Sequence, residues 1–171
     1  MELDMKKNIY LMIILSITGC AAMQPIEDAD KTIEKVVDIP TRTKEQIYTA
    51  TKIWLAENFV SSKSVIEVDD KESGIIIGNA NMKYPCTQGM SCLVKGDWRL
   101  NVSLRFDMKD QKFRITFTNM SWSSPSSSTS PAYNNVPLNT KGDIEEVKKA
   151  LDKMADDIKD SIVKETSRKD W

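Results

Sequence analysis

Trp98-Arg99-Leu100-Asn101-Val102-Ser103-Leu104-Arg105-Phe106 decides the fold. Trp98, Leu100, Val102, Leu104 and Phe106 alternate with Arg99, Asn101, Ser103 and Arg105, the period of a strand with one buried and one wet face. Asp107 to Lys112 reads as a polar turn, after which Phe113, Ile115 and Phe117 alternate with Arg114, Thr116 and Thr118. Two such strands in antiparallel register give a sheet covered on one side only. The wet side then carries Arg99, Asn101, Ser103, Arg105, Arg114, Thr116 and Thr118, the candidate contact face. Arg105 and Arg114 fall near each other there, and like charges across a pair of strands repel. Either a neighbouring carboxylate such as Glu67 offsets them, or they make a small anion-binding patch.

On the C-terminal side, Met120 and Trp122 have the wrong parity relative to Phe117, which predicts a bulge or the end of the strand. Residues 121–137 are rich in serine, proline and asparagine and read as a long mobile loop. Asp143-Ile144-Glu145-Glu146 has capping-box spacing with Asp143 as N-cap. Ile144, Val147, Leu151, Met154, Ile158 and Ile162 then form one apolar stripe of a helix, and residues 167–171 are expected to fray.

On the N-terminal side, Thr32 to Ile39 reads as a strand stopped by Pro40. Thr43-Lys44-Glu45-Gln46 is a capping box, followed by Ile47, Ala50, Thr51, Trp54 and Leu55 at helical spacing over about four turns. Val65 to Val68 is a short strand, and Asp69 to Gly74 a charged turn rather than a calcium loop, whose later oxygen ligands are missing. Ile75-Ile76-Ile77 opens the next strand, where Gly78 marks a bulge or a close backbone contact. Cys86 and Cys92 follow within a loop. A metal would need further thiolates or imidazoles, and a thioredoxin-like pair has two intervening residues where this pair has five; a structural disulfide is the favoured reading of the three.

Composition narrows the function. With 40% hydrophobic and 29% charged residues, the 171-residue chain is an ordinary globular mix that holds one domain, placed at residues 31–166. A formal charge of −1 gives no electrostatic case for nucleic acid. Histidine is absent from this chain, which removes Ser-His-Asp hydrolysis, Cys-His proteolysis and His-ligated metal sites; no cofactor or metal is expected.

The first residues supply an address. Lys6 and Lys7 precede an apolar run from Ile9 to Leu15 that is too short to span a bilayer, with Met5 as a second candidate start. Leu15-Ser16-Ile17-Thr18-Gly19-Cys20 resembles the lipobox of bacterial lipoproteins, Thr18 being larger than the usual occupant. The resemblance implies a signal peptide over residues 1–19, acylation of Cys20 and, with Ala21 rather than aspartate next, delivery to the outer membrane on its periplasmic side. Residues 20–30 then form a flexible tether.

From Ile33 to about Trp122 the chain resembles a family of bacterial envelope proteins described as a domain of unknown function with a TATA-binding-protein-like (TBP-like) fold. The residues that carry the resemblance are Glu34-Lys35-Val36-Val37, Thr43 to Tyr48, Trp54-Leu55-Ala56 and, above all, Asp69-Asp70-Lys71-Glu72-Ser73-Gly74-Ile75-Ile76-Ile77-Gly78. It implies an α+β fold of order β-α-β-β-β-β-α, an antiparallel sheet with both helices on one face, and it brings no catalytic residues. Three functions remain. The first is a non-enzymatic binding or structural lipoprotein, with the bilayer as one partner through Cys20 and an envelope protein or anionic glycan as another. The second is a cell-envelope enzyme working through paired carboxylates. The third is a component that self-associates through its exposed sheet.

Overall fold

The computed structural model describes residues 31–59, 65–86, 90–127 and 130–168. The signal segment, Cys20 and the tether lie outside the described residues. In chain order the elements are β1 (Ile33–Asp38), α1 (Lys44–Asn58), β2 (Val65–Asp70), β3 (Ile75–Lys83), α2 (Met90–Lys95), β4 (Arg99–Lys109), β5 (Lys112–Ser124), β6 (Tyr133–Pro137) and α3 (Lys141–Arg168). The strands form one antiparallel sheet in the order β1-β5-β4-β3-β2, with β6 extending the β1 edge by pairing with β5 beyond it.

The β4–β5 hairpin is the centre of this sheet, and its alternation is the one read from the sequence. Leu100, Val102, Leu104, Phe106 and Met108 of β4 and Phe113, Ile115 and Phe117 of β5 are all buried. Both strands run further than expected. β4 continues through Asp107 to Lys109, and only Asp110 and Gln111 make the turn, with Gln111 at φ 64°. That turn is docked: Asp110 Oδ1 accepts from the Lys44 amide at 2.7 Å, and Gln111 exchanges backbone bonds with Ile39 and Arg42.

Past Phe117 a bulge restores the parity that the sequence loses. Asn119 adopts φ 52°, the register shifts between Asn101 and Ser103 of the partner strand, and Met120 turns back into the core. β5 therefore continues to Ser124, and β6 returns along it with Tyr133 opposite Ser124 and Pro137 opposite Ser121. The expectation of a mobile loop over residues 121–137 is corrected at both of its ends. β6 escapes detection because its side chains are exposed apart from half-buried Val136, so it has no apolar alternation.

The two long helices lie on the apolar face, α1 against β4 and β5, α3 against β1, and each against the other. The α1 capping box is present, with Gln46 N to Thr43 Oγ1 at 3.3 Å and Thr43 N to Gln46 Oε1 at 2.9 Å. Ile47, Tyr48, Ala50, Thr51, Trp54 and Leu55 fill its buried face. α3 begins three residues earlier than expected. Thr140 is the capping residue, its hydroxyl accepting from the Asp143 amide at 3.2 Å while donating to the Asp143 carboxylate at 2.7 Å. Asp143 is thus inside the first turn rather than before it. The helix also runs through residue 168, two residues into the segment expected to fray. Lys35 on the covered face of β1 ties the sheet to α3 through Asp156 at 3.1 Å and Asp152 at 3.5 Å.

Cys86 and Cys92 form a disulfide with Cα atoms 5.2 Å apart, closing the loop that carries α2. Lys95 at the end of α2 reaches the first turns of α3, 2.8 Å from Asp143 and 2.9 Å from Glu146. Its ammonium lies 4.9 Å from the ring centre of buried Tyr84, whose hydroxyl donates to Asp143 at 3.0 Å. Beside it Trp98 and Trp122 stack with centroids 4.0 Å apart, and Tyr133 closes on Trp122 at 5.6 Å. Burial pushes the Lys95 ammonium toward neutrality, but the two carboxylates outweigh it and hold it charged above its ordinary range. Burial likewise raises the Asp143 carboxyl, and the bonds from Lys95 and Thr140 outweigh that and hold it below the usual carboxylate range.

Candidate functional site

The sheet face away from the helices is uncovered and largely polar, with Val36, Val68, Ile75 and Ile77 as apolar members toward the hairpin end. Its polar residues come from odd positions of β4 (Arg99, Asn101, Ser103, Arg105, Asp107), from Arg114, Thr116 and Thr118 of β5, and from Asn79 and Asn81 of β3. The seven expected contact residues all fall on it, but they do not form one site.

Arg105 and Arg114 meet at the hairpin end, where Asp107 joins them. Arg105 binds it through Nε at 3.0 Å and Nη2 at 2.7 Å, and Arg114 through Nη2 at 3.2 Å. The bonds from Arg105, followed by burial acting against them and then Arg114, leave the Asp107 carboxyl below its ordinary range. The offsetting acid is Asp107 and not Glu67, which accepts from Asn79 Nδ2 at 2.6 Å. Both guanidiniums share one carboxylate, which offsets one of the two charges of the expected anion patch and draws both side chains onto Asp107. Thr116 donates to Glu34 at 3.3 Å on the neighbouring strand. Arg99 lies at the opposite end of β4, in register with Lys83 and Ser123.

Between these ends is an asparagine-lined depression of about 330 Å³. Asn79 and Asn81 of β3, Asn101 and Ser103 of β4, Asn119 and Ser121 of β5 and Asn135 of β6 line it, together with Ala80 and Val102. Asn101 is the hub. Its carbonyl accepts from Asn81, and its amide donates to Asn135 at 3.0 Å and to Ser123 at 3.1 Å. Ser103 donates to Asn79 at 2.8 Å and accepts from Asn119 at 3.2 Å. Side-chain amides each present two donors and an acceptor, so a linked set of them fixes a neutral pattern of hydrogen-bonding groups on a rigid sheet.

Of the expected residues, Asn101 and Ser103 belong to this depression, and Thr118 pairs with Ser103 at its margin. Asn79, Asn81, Asn119 and Asn135 are the additions. Asparagine is depleted from strands, so Asn79, Asn81 and Asn101 at strand positions are a readable signal. Asn119 and Asn135, at φ 52° and 51°, sit in a bulge and a strand that carry no such signal.

Among the described residues no group of three or more Cys, Asp or Glu side chains is arranged to hold a metal ion. A second depression, of about 710 Å³, lies between α1 and α3, lined by Trp54, Glu57, Asp157, Asp160, Ser161, Val163, Lys164 and Glu165.

A one-sided antiparallel sheet with two long helices on its covered face defines an α+β protein of TBP-like architecture. The chain belongs to the family described as a domain of unknown function (DUF4468) with TBP-like fold, whose model matches residues 34–123, more than half of its length. Its solved neighbours agree. A TBP-like protein from Parabacteroides distasonis superposes with a TM-score of 0.56 over 84% of this chain and 97% of that one, at 13% identity. A DUF4468 family protein from Bacteroides ovatus gives 0.51 over 84% and 91%, at 16% identity. At these identities the likeness is one of fold. No curated protein matches the sequence.

Proposed function

We propose that this chain is a lipoprotein held at the periplasmic side of a bacterial outer membrane through acylated Cys20. In this reading it acts as a non-enzymatic binding module whose contact surface is the open sheet face. The observation that supports it is the asparagine-lined depression: four strands converge on one neutral, preorganised set of hydrogen-bonding groups in the middle of an uncovered face. Because every side chain that lines the depression is neutral, the ligand this favours is uncharged where it touches the depression, as glycan hydroxyls and N-acetyl groups are. Export and acylation rest on the lipobox-like stretch before Cys20.

The test is co-sedimentation with purified peptidoglycan sacculi. Replacing Asn119 and Asn135 by glycine removes two rim side chains at positive φ without straining the backbone. The wild-type chain is expected to pellet with sacculi and N119G/N135G to remain in the supernatant; equal pelleting of both sinks the assignment of the depression. The enzymatic alternative has the α1–α3 groove as its place. Glu57, Asp157 and Asp160 there are exposed, whereas a carboxyl acting as general acid needs a desolvated setting, so the groove favours it less.

A further inference from the structure

Leu93 and Val94 of α2 are 83% and 70% exposed, the two most exposed large apolar side chains among the described residues. Single apolar side chains on a surface are ordinary. These two are adjacent and on a pinned element. The disulfide closes the loop at Cys92, the residue before them, and Lys95 after them is held by Asp143 and Glu146. The pinning turns them out rather than letting them fold under.

The place where the remaining chain joins the fold points to what covers them. Residues 1–30 enter at Lys31, which lines a cavity of about 300 Å³ together with Ile144 of α3. Ile144 directly follows Asp143, the residue that Lys95 of α2 grips. The chain entry and α2 therefore flank the same first turn of α3. From Cys20 to Lys31 is eleven residue steps, at most about 40 Å of extended chain. A lipid attached at Cys20 thus brings the bilayer within reach of α2.

We propose that Leu93 and Val94 are a second, unmodified membrane contact that seats α2 in the bilayer interface beside the acylated Cys20. This rests on the lipid-anchor reading above. Two independent contacts hold a peripheral protein far better than one. They also fix its orientation: Lys83 and Arg99, exposed and in register at the same end of the sheet, face the headgroups, where anionic lipids attract them. The asparagine-lined face then stands upright from the membrane instead of lying against it.

The full chain is produced in a Gram-negative host fed radiolabelled palmitate, with the photo-crosslinker p-benzoylphenylalanine at Leu93 or, for comparison, at Lys109 at the far end of β4. The purified protein is reconstituted into vesicles of phosphatidylethanolamine with phosphatidylglycerol and irradiated. Several-fold more lipid adduct from position 93 than from position 109 is expected. Equal adducts with palmitate incorporated overturn the second contact and leave the anchor standing. Adducts from position 93 to a second copy of the chain in place of lipid overturn the lipid surface as the occupant. Absence of palmitate overturns the anchor itself, and this proposal with it.

Discussion

Replacing Lys95 by methionine tests the cluster that fastens the disulfide loop to the domain. Methionine keeps most of the apolar stem beside Tyr84 and Trp98 and removes only the ammonium. The Lys95, Asp143 and Glu146 side chains are 19%, 22% and 21% exposed, so their pairing is sheltered from water. Removing one partner of a charge-assisted bond and leaving a half-buried carboxylate behind costs about 1.5–3 kcal/mol. At neutral pH the loss of unfolding free energy in K95M is therefore about 2 kcal/mol. The sign with pH follows from Asp143, held below its ordinary range in the folded chain. A carboxylate of this kind contributes stability above the unfolded value, near 4, and loses it as pH falls through its folded value. The gap between wild type and K95M is fully present at neutral pH and closes in acid as Asp143 protonates. Urea unfolding followed by tryptophan fluorescence, with Trp98 and Trp122 as reporters, reads both effects. A K95M gap under about 0.5 kcal/mol at neutral pH, or one that does not change in acid, would refute the reasoning.

Further outcomes follow from single contacts. Replacing both Cys86 and Cys92 by serine opens a short loop, and the chain-entropy model gives a loss of about 2 kcal/mol, read as a lower urea midpoint at unchanged slope. In Gly74→Ala the added methyl would meet Met108 O at 2.8 Å at a residue with φ 71°, so it destabilises by about 2–3 kcal/mol in the same assay. Asp107→Asn releases Arg105 and Arg114 and should delay elution from a heparin column, to higher salt than the wild type needs; unchanged elution would show that Asp107 does not mask them.

The parts legible in the sequence are those where one side of an element is wet. β4 and β5 announce themselves because Leu100 through Met108 alternate with polar neighbours, and α1 because Thr43 and Gln46 have the spacing of a cap that forms. At α3 two caps compete, since Asp143–Glu146 has the same spacing as Thr140–Asp143. The structure uses the earlier one, two residues after buried Leu138. β6 is illegible because it buries almost nothing on either side, its hydrogen bonds to β5 coming from backbone that any residue supplies. The candidate site divides in the same way. Asn101 and Ser103 are placed by strand parity, while Asn119 and Asn135 arrive through a bulge and an unanticipated strand. Read as part of a turn, Asp107 carries no sign that it masks Arg105 and Arg114. Once β4 runs to Lys109, Asp107 is two residues from Arg105 and on the same face.

Chemical-shift mapping of the isotope-labelled chain with soluble glycan fragments of peptidoglycan tests the account most directly. The amide side chains of Asn79, Asn81, Asn101 and Asn119 should shift together and saturably, while those around Trp54 and Glu57 stay in place. Shifts confined to the groove between α1 and α3, with the asparagine-lined face unmoved, would contradict it.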